Sequence, residues 1–397
     1  MKNPAAENGT EREKCLLVGV STPKTPAGLA ALHLAELGRL AEAAGGEPVG
    51  SVSQRAKAFN SSTLVGEGKV DEIKQLAEEL GAKTVVFDED LSGSQIRNLE
   101  KKLPEIKVLD RTGLILDIFA KRAMTAESRL MVEVAQLQYR MPRLTGAWTH
   151  LCRQRNGGIG TKGPGETQLE TDRRTIRKRI QELKKKLAKI EDARETAAAR
   201  RGDVFCVGVV GYTNAGKSSL TNLLTGASVL AEDRLFATLD STTRRLRLGD
   251  ETALLTDTVG FVRKLPHDLV ETFRSTLGAA AGADCVLEVV DASAPDWREH
   301  IEVARKALEG IVEEGTPRLL LFNKTDLCGE ERIAELRAEH PEAILASVRE
   351  NAGLDLLRRE LEKRLAEWHA ARETREREEE EAAQAPWSPE DGASFGR

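Results

Sequence analysis

The run Gly211-Tyr212-Thr213-Asn214-Ala215-Gly216-Lys217-Ser218 carries glycine at its first and sixth positions, lysine at the seventh and a hydroxyl at the eighth. That spacing is what wrapping a phosphate demands. Successive backbone N–H groups must turn inward, and a side chain at the glycines would collide with the anion or the loop. An apolar, strand-like run from Val204 to Val210 precedes the loop. A helix is expected from Gly216, so its amino end adds partial positive charge at the phosphate. Lys217 then bridges β- and γ-phosphate oxygens, and Ser218 offers its hydroxyl to Mg²⁺.

Two more motifs follow, each after its own apolar run. Asp257-Thr258-Val259-Gly260 begins 40 residues after Lys217. Its aspartate is expected to hold the magnesium shell through water, and the Gly260 N–H to meet the γ-phosphate. Asn323-Lys324-Thr325-Asp326 comes directly after the strand-like RLLLF and decides the base. A carboxylate at Asp326 accepts from guanine N1–H and from the exocyclic amine. Adenine presents a lone pair at N1 and no amine at C2, leaving buried polar groups unpaired. Asn323 supports the loop and the keto side, and Ser347-Val348-Arg349 follows a further apolar run and lays backbone near guanine O6. Three motifs in this order predict a P-loop fold that binds GTP and GDP, with Lys217 and Gly260 among its catalytic groups.

Between the first two motifs lies Phe236-Ala237-Thr238-Leu239-Asp240-Ser241-Thr242-Thr243. A mobile threonine here caps the magnesium and senses the γ-phosphate; Thr238, Thr242 and Thr243 are the candidates, and spacing does not choose among them. The residue after Gly260 is Phe261, followed by Val262. Neither can orient the attacking water, so intrinsic hydrolysis is expected to be slow, with a partner, a potassium ion or a residue brought in by switch closure completing the site. Arg263 and His267 are near in sequence and read as surface residues.

These motifs need elements to hold them. At 397 residues, 40% hydrophobic and 31% charged, the chain fits two or three globular domains. No apolar run is long enough to span a bilayer, and the polar first residues do not read as a secretory signal. The five cysteines are scattered without CxxC or metal-ligand spacing, which suits a reducing cytoplasm. Residues 1–14 are expected to be disordered. From Cys15 to residue 122, strand-like and helix-like stretches alternate (Cys15–Val20, Gly28–Ala44, Thr84–Asp88, Ser92–Lys102, Ile106–Asp110), which predicts a parallel α/β domain. Residues 203–368 form the P-loop domain, so the fold class is α/β. After Trp368 the chain turns glutamate-rich, and residues 369–397 are expected to be a disordered acidic tail.

The stretch between, residues 123–202, is different. Leu130, Val134, Leu137 and Met141 recur at coiled-coil spacing, as do Ile176, Ile180, Leu183, Leu187 and Ile190. Two helices zipped antiparallel are expected, joined by a Gly- and Pro-rich loop over Pro142–Gln168. The net charge of −5 hides an asymmetry here: nine basic residues stand against two acidic ones from Thr171 to Ile190. The loop side, Tyr139–Gly163, has five basic residues and no acidic one. A basic loop at the tip of a hairpin, with Arg153, Arg155 and Lys162, predicts an RNA-binding probe.

GYTNAGKSSLTNLLTG, FATLD, DTVGFVRKLPHDLVETFRSTL and NKTD together resemble the HflX family of ribosome-associated GTPases. VGEGKVDEI, DEDLSGSQIRNLE, DRTGLILDIFAKRAMTAES and GGIGTKGPGETQLE resemble that family's other blocks, so the resemblance spans roughly residues 15 to 365. It implies a GTP hydrolase and assigns Thr238 as the switch threonine, a magnesium ligand with Ser218 and a catalytic residue. It implies a monomer that binds the large ribosomal subunit through the hairpin loop and splits or rescues stalled or stress-idled ribosomes. A GTP-gated adaptor that docks other proteins, with hydrolysis incidental, is the alternative. The chain departs from the pattern at GEGK, where a second basic residue is more usual, and at Ser347-Val348, where Ser-Ala is typical. The family is also credited with ATP use by the N-terminal domain, where no Walker motif is present.

Overall fold

A computed structural model of the chain describes residues 12–23, 25, 27–146, 164–199, 204–226, 235, 236, 239–264, 272 and 282–384. The N-terminal part runs β1 (Glu13–Ser21), α1 (Ala27–Ala43), β2 (Gly46–Arg55), α2 (Glu67–Leu80), β3 (Thr84–Phe87), α3 (Gly93–Lys102), β4 (Lys107–Asp110) and α4 (Arg111–Arg122). Its four strands form an all-parallel sheet in the order β2-β1-β3-β4. A parallel sheet buries both faces, which is why β1 and β3 read as unbroken apolar runs. Capping fixes the helices. Ser92 and Gln95 form a capping box at α3, and Asp110 caps α4 through the Gly113 N–H at 2.8 Å.

Two helices link the halves: α5 (Ala126–Arg140), continued by a 3₁₀ turn over Met141–Gly146, and α6 (Pro164–Ala199). The expected loop is shorter on its far side, because Pro164–Gln168 already belongs to α6. Proline is tolerated in a first turn, where no intrahelical N–H is required. On α6 the expected seam holds: Leu183 is buried and Ile176, Ile180, Leu187 and Ile190 are half-buried on an otherwise largely exposed helix. On α5 it holds in part and widens. Val134 is fully buried and Leu130 and Leu137 are half-buried, while Met131, Val132 and Ala135 are buried as well. The cause is that α5 packs into one core with Leu37 and Leu40 of α1 and Ile115 and Phe119 of α4, so α6 is not its only partner. Arg179 of α6 donates to Glu133 of α5 at 2.8 Å.

The second half holds β5 (Cys206–Gly211), α7 (Lys217–Thr225), β6 (Thr242–Leu248), β7 (Glu251–Asp257), β8 (Cys285–Asp291), α8 (Trp297–Leu308), β9 (Arg318–Asn323), α9 (Glu330–Glu339), β10 (Ile344–Leu345) and α10 (Leu354–Gln384). Six strands lie in the order β10-β9-β8-β5-β7-β6, parallel except for β6. Strands β5, β7 and β9 end at Gly211, Asp257 and Asn323, so all three motifs meet at one carboxyl edge, where open α/β sheets bind ligands.

The tail expectation needs correction. Helix α10 continues past residue 368 to Gln384. Leu354, Leu357, Leu361 and Leu365 bury its first half against the sheet. Beyond Trp368 the helix is carried by Glu, Arg and Ala propensity and by i,i+4 pairs such as Arg372–Glu376. Sparse apolar residues rule out burial, not propagation of a helix already nucleated. Residues 385–397 lie outside the described residues. Among the described residues no helix is long and apolar enough to cross a membrane.

Candidate GTP site

Gly211 ends β5 at φ +143°, and a Cβ there would stand 2.1 Å from the Val289 carbonyl oxygen. Gly216 has φ +91°, and its Cβ would meet Asn323 Nδ2 at 2.3 Å. Both positions therefore require glycine for reasons internal to the loop, before any phosphate is considered. The loop docks on the Asp257 motif by a short bridge: the Thr213 N–H donates to Phe261 O at 2.7 Å, and the Phe261 N–H to Gly211 O at 3.0 Å. Gly260 is caught in that contact, where an added Cβ would lie 2.8 Å from Thr213 Cα and 2.9 Å from Lys217 Nζ.

Lys217 is buried, and its ammonium donates to Gly211 O at 3.1 Å and Tyr212 O at 2.9 Å. Burial pushes it down to about 8, with the Asp257 carboxylate opposing. A cation held among carbonyls in a desolvated loop is matched by an arriving polyphosphate. Beside it, Ser218 Oγ donates to Asp257 Oδ2 at 2.6 Å. A hydroxyl and a carboxylate so close form an all-oxygen donor pair, the kind a hard divalent cation such as Mg²⁺ takes. Thr213 Oγ1 is buried with no hydrogen-bond partner among the described residues.

At the base end, Asn323 staples two loops. Its Nδ2 donates to Ala215 O at 2.8 Å, and its Oδ1 accepts from the Val348 N–H at 3.1 Å. Ser347 Oγ donates to Asp326 Oδ1 at 2.6 Å, which orients the carboxylate expected to read guanine. Lys324 takes φ +62° and its ammonium pairs with Asp291 at 2.7 Å. The Ser-Val departure leaves this hydrogen bond intact, since Val348 contributes its backbone N–H to it. Arg349 is exposed and Asn214 has φ +62° at the loop crest.

Several expected site residues face elsewhere. Thr258 donates its hydroxyl to Val209 O at 2.8 Å, and Val259 is buried in the core, so neither side chain is offered to a nucleotide. Phe236 packs edge-on against Phe119 at 4.7 Å and Leu239 is buried in the same cluster. Asp240 accepts from α5. Thr242 and Thr243 lie in β6, with Thr242 paired opposite Asp257 and the Thr243 hydroxyl 3.0 Å from that of Thr256. Ala237 and Thr238 lie outside the described residues, as do His267, Arg153, Arg155 and Lys162.

Arg263 corrects the surface reading. It is 3% exposed and sits in a charge cluster that joins the two halves. Its guanidinium meets Glu36 of α1 at 2.5 Å and Glu299 at 3.1 Å, and also pairs with Asp296. Arg111 of α4 reaches Asp88 at 2.6 Å, pairs with Glu36 and donates to Arg263 O at 3.2 Å. Tyr212 Oη lies 2.9 Å from both Glu36 oxygens, to which it donates its single proton, and accepts from the Arg263 N–H at 2.8 Å. Burial and the Glu36 charge push the Tyr212 phenol up, and burial and Arg263 push His300 down to about 4. The His300 and Tyr212 rings stack at 3.7 Å. Sequence reasoning missed this cluster. A tyrosine at the second loop position and an Arg-Lys pair after Gly260 were visible, but their acidic partners lie far away in the chain.

Profiles of three families match consecutive parts of the chain: "GTP-binding GTPase N-terminal" over residues 31–120, "GTP-binding GTPase Middle Region" over 122–201 and "50S ribosome-binding GTPase" over 206–324. A GTPase HflX of Caldanaerobacter subterraneus subsp. tengcongensis is 45% identical, over 90% of this chain and 82% of the relative. That of Escherichia coli K12 is 47% identical, over 84% and 79%. A GTP-binding protein from Sulfolobus solfataricus, solved with GDP, aligns over 90% of this chain and 99% of its own at 23% identity and a TM-score of 0.46. With three motifs gathered at one sheet edge and relatives alike over most of their length, the chain binds and hydrolyses GTP and belongs to the HflX family of GTPases.

Proposed function

We propose that the chain is a Mg²⁺-dependent GTPase of the cytoplasm that acts on the large ribosomal subunit, splitting or rescuing stalled or stress-idled ribosomes. The observation that carries this reading is the basic helix α6, with nine cationic residues against two acidic ones over Thr171–Ile190, packed on α5 along its apolar seam. RNA phosphates are the complement of such an arm. Support comes also from the name of the family profile over residues 206–324.

In the crevice the backbone of Gly211–Gly216 receives the β-phosphate, and Lys217 neutralises the β- and γ-oxygens. Ser218, with the Thr238 that the family resemblance assigns, would hold Mg²⁺, with Asp257 supporting it; the ion would supply positive charge to the phosphate oxygens. Asp326 accepts from guanine N1–H and the amine, held there by Ser347. The Gly260 N–H meets the γ-phosphate. Phe261 and Val262 are buried at 2% and 0%, so neither of these two side chains orients the attacking water, and a partner completes the site.

The test is GTP turnover with and without purified large ribosomal subunits at two salt concentrations. Stimulation that collapses with salt is the expected result, because each phosphate contact releases counterions. Tight GTP binding without stimulation would replace the ribosomal reading with that of a GTP-gated adaptor.

A further inference from the structure

Arg263 is held at three points. Its N–H donates to the Tyr212 hydroxyl at 2.8 Å, its carbonyl accepts from Arg111 Nε at 3.2 Å, and its guanidinium meets Glu36 at 2.5 Å. Two residues earlier, Phe261 is bridged to the backbone on either side of Tyr212, through Gly211 O at 3.0 Å and the Thr213 N–H at 2.7 Å. The segment from Gly260 to Arg263 is therefore fixed to the phosphate loop twice, by main chain at Phe261 and by the Tyr212 side chain at Arg263. Gly260 stands beside the phosphate-binding ammonium, since a Cβ on it would lie 2.9 Å from Lys217 Nζ.

The phenol is itself held in place. Tyr212 is 4% exposed, its ring stacks on His300 at 3.7 Å, and its proton goes to the Glu36 carboxylate, 2.9 Å away. A phenylalanine would fill the same space, yet it would leave the buried Arg263 N–H without its acceptor and Glu36 short of a donor. Packing alone does not need the oxygen.

We propose that Tyr212 is a positioning residue: through its hydroxyl it holds the Gly260–Arg263 segment on the phosphate loop, so that the Gly260 N–H is in place before a γ-phosphate arrives and GTP is favoured over GDP. The inference rests on the reading of Gly260 as the γ-phosphate contact. Only the triphosphate uses that N–H, so ordering the segment in advance lowers the cost of binding GTP and does nothing for GDP.

The experiment uses the full chain with Mg²⁺, a non-hydrolysable GTP analogue and GDP, each displacing a fluorescent guanine nucleotide. In Tyr212→Phe the ratio of GTP-analogue to GDP affinity falls about tenfold. Glu36→Gln keeps the phenol and weakens its acceptor, and it lowers the ratio in the same direction. The double variant is no worse than the lower of the two, because both act through one contact. If Tyr212→Phe does not fold, the ratio in Glu36→Gln decides. A thermal midpoint that falls while the ratio stays unmoved means that the hydroxyl serves the fold alone, and that result overturns the proposal. A ratio that rises overturns it too. Amide hydrogen exchange of the parent chain tests the underlying reading separately: if the peptide containing Gly260 is protected equally by the GTP analogue and by GDP, Gly260 is not the γ-phosphate contact, whatever Tyr212 does.

Discussion

Glu36 offers a sharp test of how the two halves are joined. It is 1% exposed and is the one acid shared by Arg111, Arg263 and the Tyr212 hydroxyl. Glu36→Gln preserves the shape and removes the charge, leaving two buried guanidinium groups short of an anion. Breaking a buried ion pair from one side costs about 3–5 kcal/mol. At about 2–4 °C per kcal/mol for units of 150–250 residues, the thermal midpoint should fall by roughly 6–20 °C. The matched control is Glu302→Gln, whose partner Lys306 lies at 2.7 Å on an exposed helix face. Such a pair contributes about 0.3–0.5 kcal/mol, so its midpoint should move by at most about 2 °C. Differential scanning calorimetry of both variants without nucleotide is the assay. Equal midpoints for the two would refute the view that this cluster, and not apolar contact alone, welds the N-terminal sheet to the GTPase half. Because the Tyr212 hydroxyl loses its charged acceptor in the same variant, GTP affinity should also drop, by about tenfold for about 1.4 kcal/mol.

Nucleotide affinity should be level below about pH 8 and weaken as pH rises further, because free Lys217 sits at about 8 and phosphate binding requires its proton. Stability runs the other way: the folded value lies below the unfolded one, so the free protein gains stability between about pH 8 and the ordinary lysine value of 10.5. Titrating Kd and unfolding midpoint across that range checks both signs. Asp326→Asn should weaken GTP binding about 10- to 150-fold, the loss of a charged hydrogen-bond acceptor worth about 1.5–3 kcal/mol. It should also improve the relative affinity for xanthosine triphosphate, whose C2 carbonyl accepts from the new amide; competition binding with both nucleotides measures this. Gly216→Ala should abolish nucleotide binding and lower the thermal midpoint, since its Cβ would stand 2.3 Å from Asn323 Nδ2 at φ +91°.

The loop residues 211–218, the aspartate at 257, Asp326 after the third strand and the strands that end at them were legible in the sequence. Their chemistry is local: a phosphate loop needs glycine, lysine and a hydroxyl at fixed spacing, and a buried parallel strand needs an unbroken apolar run. The seam on α6 was legible for the same reason, because one partner imposes one period. The seam on α5 was legible only in part, since that helix answers to α1, α4, Phe236 and Leu239 together, and the buried face is wider than one period. Arg263 illustrates the limit best. Nothing within its own stretch distinguishes it from a solvated arginine, and only the fold brings Glu36 to within 2.5 Å of it from across the chain. Asp240 likewise reads as part of a nucleotide motif until the structure sets it against the N-cap of α5. Short-range geometry and periodicity are written along the chain, whereas the pairing of charges between distant segments exists only once packing has removed the water between them.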